Sequence, residues 1–366
     1  MSLYNLCVTS PRARRALQSL PALILLCLLQ ICPPAAVAQT IDDGMMTPAR
    51  TVFGGYLYTH DSWDQYWEGQ LKRSNGNIGT LTTQTSTISL DLGVTDRLNV
   101  FVLIPHVTTD ASQGVLASQS GWQDLTVAAK FKAASVKLPR FGKLNVFGVG
   151  YWTIPMTNYT PDFLPLSIGS DSLKRGLRTT LCFDSNLGFY FTGTAAYTWR
   201  EDVTLDRPYY FTNNQFFLTS DVPLPSVVDY AATAGFDRKR RMLQATFSKL
   251  ITRGGIDSGD IRRQDQPFVS NRMIASRIGG MIMYPVPFVK GLDFHFEYSH
   301  VFDGRNVGQS NTYTIGLMRT QQLGLIIHAC TCPKKGSIGG RGGVSKLFQG
   351  ISPRAVAAAA RASHCA

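Results

Sequence analysis

The chain has 366 residues, 44% of them hydrophobic and 16% charged, which excludes a disordered protein and admits one large domain or two. The formal net charge of +12 suggests nucleic acid until its distribution is inspected: residues 1–38 hold three bases and residues 319–366 seven, neither with an acid, leaving 26 bases against 24 acids between them. The body is close to neutral, so no nucleic-acid partner is implied, and 33 glycines with 11% aromatic residues suit a large antiparallel β protein with many tight turns.

Residues 1–38 have the pattern of an export signal. Arg12, Arg14 and Arg15 precede the apolar run "ALILLCLLQIC", and Ala36 and Ala38 supply the small residues that a signal peptidase recognises. The run is 11 residues long, against the roughly 20 of a membrane-spanning helix. Cleavage would leave Gln39 first. Of the seven cysteines only Cys182 lies in the body, so no disulfide framework or cysteine metal site organises the fold.

After the leader come segments of alternating polarity, each about 10 residues long, the repeated signature of an outer-membrane barrel. "TISLDLGV" sets Ile88, Leu90, Leu92 and Val94 against Thr87, Ser89 and Asp91. "DLTVAAKFK" sets Leu125, Val127, Ala129 and Phe131 against Asp124, Thr126, Lys130 and Lys132, and "FYFTGTAAYTW" sets Phe189, Phe191, Ala195, Tyr197 and Trp199 against Tyr190, Thr192, Thr194 and Thr198. "GLDFHFEYSHVF" continues with Leu292, Phe294, Phe296 and Tyr298 opposite Asp293, His295, Glu297 and Ser299, and "TYTIGLM" closes the series. The pattern predicts about twelve strands, near 51–60, 80–94, 98–107, 121–133, 143–154, 174–184, 188–200, 226–237, 241–252, 271–284, 290–301 and 311–318.

Short connections such as "VTDR", "SNLG" and "DRKR" alternate with much longer ones such as 201–225 and 253–270. Periplasmic turns and extracellular loops of a bacterial barrel differ in this way, and an even strand count returns both termini to the periplasm. Trp63, Trp67, Trp122, Trp152 and Trp199 all fall near the strand ends that join the long loops, as an interfacial belt requires. A sheet whose apolar face meets lipid must also satisfy every backbone N–H and C=O internally, so it has to close. The fold class is therefore all-β, a transmembrane antiparallel barrel of about twelve strands over 39–318, with 319–366 a basic, poorly ordered extension that has no strand alternation.

At "GVTDRLNVFVLIPHV" and "GWQDLTVAAKFK" the chain resembles the outer-membrane barrel transporters of the phenol meta-degradation pathway. The matching features are Leu92 and Gly93 ending a strand, the turn Thr95, Asp96, Arg97 and Leu98, Pro105 in the next strand, and Gly121, Asp124 and Leu125 opening the one after; "NYTPDFLPLSIGS" is similar too, while Gln123 stands where many relatives have glycine. The resemblance spans roughly residues 50–318 and implies passage of small hydrophobic or aromatic molecules, with no catalytic or binding residues to carry over.

The polar faces line a lumen in this reading. The expected lining is Asp91, Asp124, Lys130, Lys132, Arg178, Arg277, Asp293, His295 and Glu297, whose mixed charges cross-link the interior or set selectivity. An acid/base site in 293–297 is disfavoured, because strand rise puts Asp293 and Glu297 about 13 Å apart and His295 about 6.6 Å from each. His300, on the apolar side, lacks the local serine motif of a lipid hydrolase and is expected at the membrane interface. "HACTC" lacks a second ligand pair for zinc, and "GSIGGRGG" lacks the lysine of a phosphate loop. The long loops carry Tyr159, Phe163, Tyr209, Tyr210, Phe211, Phe216 and Phe217, which could capture a hydrophobic solute or pack into a lid. The sequence thus predicts an exported, monomeric barrel of a Gram-negative outer membrane, assembled by the barrel assembly machinery. It has no enzymatic role, cofactor or metal, and its partners are outer-membrane lipid and small hydrophobic solutes in passive uptake; the alternative is a structural or surface-binding barrel with a closed lumen.

Overall fold

The computed structural model describes residues 40–212, 215–238, 240–256 and 267–323. The leader, the "HACTC" run and the glycine-rich stretch lie outside the described residues.

Twelve long strands dominate the described residues: β1 (Thr51–Trp63), β2 (Leu81–Thr95), β3 (Leu98–Ala111), β4 (Asp124–Leu138), β5 (Gly142–Pro155), β6 (Lys174–Ser185), β7 (Phe189–Arg200), β8 (Ser226–Arg238), β9 (Arg241–Arg253), β10 (Ile274–Pro285), β11 (Leu292–Arg305) and β12 (Asn311–Gln322). Each pairs antiparallel with its neighbours in sequence, and β1 pairs with both β2 and β12, so the sheet closes on itself. Twelve to fifteen residues per strand, at about 3.3 Å each and a tilt near 40°, give a wall tall enough for an apolar band of about 25 Å.

The alternation in sequence becomes two faces. Leu177, Leu181, Phe191, Leu243, Ile278 and Leu317 point outward and are each more than half exposed, whereas Phe101, Lys130, Phe147, Val149 and Thr180 point inward and are buried almost completely. In a water-soluble protein that outer face would be an apolar surface far larger than monomers tolerate; around a closed barrel it is the contact with acyl chains.

Three expectations need adjustment. β12 runs to Gln322, because Arg319 to Gln322 pair with Gly54 back to Thr51 on β1, so the barrel ends four residues beyond 318. The strand expected from 121 is split: Gln119–Trp122 pairs with the outer half of β3, while β4 proper starts at Asp124 and pairs with its inner half. Pro105 sits at the break, where it has no N–H to donate and only accepts from Gln123 N–H at 3.0 Å. Third, the connection from β11 to β12 spans only residues 306–310, so one outer loop is short.

Candidate functional site: a plugged lumen

The segment from Thr40 to Arg50 does not join the sheet. Arg50 adopts a left-handed backbone (φ 59°), and the residues before it turn back into the barrel, touching inward-facing side chains on opposite walls. Near the periplasmic end Thr47 donates a hydrogen bond to Asp91 on β2. Beside it, Met45 packs against Phe53, Tyr190, Met242, Met281, Met283 and Met318, contributed by five different strands. Asp43 pairs with Lys130 Nζ at 2.7 Å, the same amine donates to the Thr40 carbonyl at 3.0 Å, and Asp42 pairs with Arg178 Nη1 at 2.5 Å.

Glycine makes the threading possible at two points. A Cβ on Gly93 would stand 2.0 Å from the Pro48 carbonyl oxygen, and one on Gly44 would stand 2.3 Å from both Cβ and Sγ of Cys182. Neither position has room for a side chain while the segment is seated. Below the plug, at the periplasmic mouth, a cavity of about 530 Å³ remains, lined by Met45, Pro48, Lys132, Lys143, Asp184 and Asp237 among others. It is a vestibule whose lining carries both signs of charge.

The extracellular mouth is narrowed by the loop between β5 and β6. Leu166 is fully buried, and its carbonyl accepts from Thr109 Oγ1 at 2.5 Å. The Ile168 carbonyl accepts from Gln123 Nε2 at 2.5 Å. Tyr159 donates its phenol to Asp124, which also pairs with Lys174 at 2.7 Å. Burial, followed by the hydrogen bond to that carboxylate, pushes the Tyr159 phenol up, so it remains a donor throughout the neutral range. Above it Val203, Leu205, Tyr210, Val222 and Leu224 of the loop between β7 and β8 are buried in one core with Val269 of the connection between β9 and β10.

All nine residues expected to line the lumen lie on inward pleats, but in different surroundings. Asp91, Lys130, Asp124 and Asp293 are buried and partnered, the last by Arg240 at 2.5 Å. Arg178 is engaged by the plug, Lys132 lines the vestibule, Arg277 is half-buried on β10, and Glu297 is open to the lumen. His295 Nε2 approaches Glu297 Oε2 to 3.6 Å, closer than strand rise alone suggests, because side chains two apart on one pleat lean together. The aromatic loop set divides. Tyr210 and Phe217 stack at 5.1 Å inside the loop core and Tyr159 is tied to Asp124, so these are structural, whereas Tyr209, Phe163 and Phe216 are exposed and Phe211 lies edge-on to Phe216 at 4.8 Å. Trp122, Trp152 and Trp199 ring the outer rim, but Trp67 is buried against Ala275 and Val301 instead of facing lipid. His300 faces outward and bonds Asn311 at 2.9 Å, an interfacial polar contact with no serine in it. Among the described residues no group of His, Cys, Asp and Glu is arranged to hold a metal.

A closed lumen is the alternative the sequence leaves open, but nothing in it marks residues 40–50 as the segment that fills the barrel. "TIDDGMMTPAR" shows no periodicity; two adjacent acids before a glycine are its only local mark.

No family model and no curated protein matches the sequence. Among solved structures, an outer membrane channel from Pseudomonas putida F1 superposes with a TM-score of 0.60 at 16% identity, covering 80% of this chain and 100% of that one. The chain is an outer-membrane β-barrel. More distant likenesses are the translocator domain of the autotransporter NalP from Neisseria meningitidis (TM-score 0.39, 11% identity, 84% and 96% covered) and the TodX deltaS2S3 mutant monoaromatic hydrocarbon channel (TM-score 0.37, 9% identity, 75% and 91% covered).

Proposed function

We propose that the protein is a monomeric channel for passive uptake of small hydrophobic or aromatic compounds. The observation that carries this reading is the graded path along the barrel axis. Tyr209, Phe211 and Phe216 sit on the outside of a folded loop cap, the inward-turned loop at Leu166 narrows the mouth, and a lumen lined by charged side chains leads to an open vestibule at the other end. Exposed aromatic faces capture an apolar solute, and a passage held shut only by noncovalent contacts can open without chemistry. Nothing in the path calls for a nucleophile or a nucleotide.

A closed-lumen structural barrel is the rival, and the three polar anchors of the plug favour it. The test is planar-bilayer conductance and uptake of a neutral aromatic probe, phenol, into proteoliposomes. Both are compared between the processed protein and a variant lacking residues 40–46. The channel reading expects measurable flux that rises several-fold on deletion. Equal, background-level flux from both would leave only the structural barrel.

A further inference from the structure

The plug does more than fill space: two of its consecutive residues present a chemically recognisable pair. Ile41 puts an apolar side chain into a seat made by Phe101, Ala128, Val149 and Tyr151. The next residue, Asp42, puts its carboxylate on Arg178. Phe101, Ala128 and Tyr151 are partners in one row of the wall, and Val149 lies in the adjoining row with the cation, as direct partner of both Lys130 and Arg178 across β4, β5 and β6. With strands about 4.8 Å apart, Lys130 and Arg178 are separated by about 10 Å along that row, the dimension of one small ring with an acid group.

The wall holds more binding capacity than the plug uses. Arg178 offers only Nη1 to Asp42, while its Nε is buried with no partner. A guanidinium edge is built to take both oxygens of a carboxylate, so the contact seen here is half of the one available. Nη2 of Arg200 is likewise buried and unpartnered. The imbalance is clear in burial too: the Asp42 side chain is 65% exposed and that of Arg178 only 15%. A rigid, desolvated cation is met by a loosely held acid. Asp229, reached from Arg178 across Ala196 in the same row, balances one of the cations Lys130, Arg178 and Arg200, not all three.

We propose that this stretch of wall is a binding site for small apolar carboxylic acids, an aromatic acid above all, and that Ile41 and Asp42 occupy it as a built-in mimic. The apolar body takes the seat of Ile41, and the carboxylate takes both Nη1 and Nη2 of Arg178, the edge that Asp42 holds by Nη1 alone. The proposal rests on the channel reading for the route by which a solute arrives, and on the wall geometry for what the site accepts. Because the plug competes, affinity in the unaltered protein is masked, and loss of the Asp42 charge releases it.

The test is calorimetric titration of the processed, detergent-solubilised barrel with benzoate and, as the neutral counterpart, benzyl alcohol. Asp42→Asn, at a largely exposed side chain, is expected to bind benzoate at least tenfold more tightly than the unaltered protein does, and at least tenfold more tightly than it binds benzyl alcohol. Adding Arg178→Gln is expected to abolish that preference; should this double variant fail the heat-modifiable migration test for folding, Arg178→Lys replaces it, with a several-fold loss expected from the missing two-pronged edge. Equal affinities for benzoate and benzyl alcohol in Asp42→Asn, or benzoate binding indifferent to the change at Arg178, would overturn the proposal. Binding is read without flux, so a barrel that binds benzoate and conducts nothing sinks the channel reading alone, whereas phenol flux without benzoate binding sinks this one alone.

Discussion

Phe247 offers the sharpest test of which face meets lipid. It is the seventh of the thirteen residues of β9, points outward and is 45% exposed, so it lies at mid-height of the wall. Arginine there would stand in the centre of the hydrocarbon, at a cost of about 2–4 kcal/mol. At about 1.4 kcal/mol per decade this lowers the folding equilibrium constant by a factor of about 30 to 1,000. Glu297 is the control. It lies at a similar height on β11, but its half-exposed side chain faces the lumen, where Glu297→Arg swaps one solvated charge for another and should cost about 1 kcal/mol or less. The assay is a urea titration of folding into phospholipid vesicles, followed by heat-modifiable gel migration. If Glu297→Arg were as damaging as Phe247→Arg, the assignment of faces would be wrong.

Four further outcomes follow from the contacts and charges. With Cys330, Cys332 and Cys365 changed to Ser, Cys182 should resist maleimide while Gly44 covers its thiol, and should become reactive at least tenfold faster when residues 40–46 are removed; equal rates would mean the segment does not sit there. A stop after Leu323 should leave vesicle insertion unchanged, whereas a stop after Met318 removes the pairs from Gly54↔Arg319 to Thr51↔Gln322 and should impair closure, which heat-modifiable migration reads directly. Tyr159→Phe deletes a hydrogen bond to a charged acceptor, worth about 1.5–3 kcal/mol, and should speed proteolysis of the loop between β5 and β6 several-fold without unfolding the barrel. In the same loop, burial and then repulsion from Asp124 and Asp206 raise the Asp171 carboxyl above its ordinary value. The folded loop therefore binds that proton more tightly than the unfolded chain, its packing strengthens as pH falls through the raised value, and Asp171→Asn should flatten the dependence of proteolysis on pH.

What the sequence disclosed was whatever repeats locally. Lipid on one side and a lumen on the other impose a period of two on every strand, so the twelve segments and their facing could be found from runs such as 124–132 and 291–302 without knowing any contact. The plug could not, because its partners Asp91, Lys130, Arg178 and Met242 lie 44 or more residues away and become neighbours only once the ring closes. Trp67 misled for a related reason: position near a strand end suits both an interface and a loop core, and only the docking of 65–68 beside β11 decides between them. His295 and Glu297 approach each other through side-chain lean, which strand rise does not measure. The loop aromatics divided because Tyr210 and Phe217 share one face of the short hairpin 210–217 while Phe211 and Phe216 share the other.

The inward run of residues 40–50 has a practical corollary for anyone handling the protein. Thr40 already lies among wall side chains, so a purification handle or fluorophore joined just upstream of it would have to share the interior with Ile41 or drag the whole segment out, and the resulting preparation would report on an altered molecule. Reporters belong instead at places such as Val115, which is 99% exposed in the connection after β3; a marker there leaves the interior as it was found.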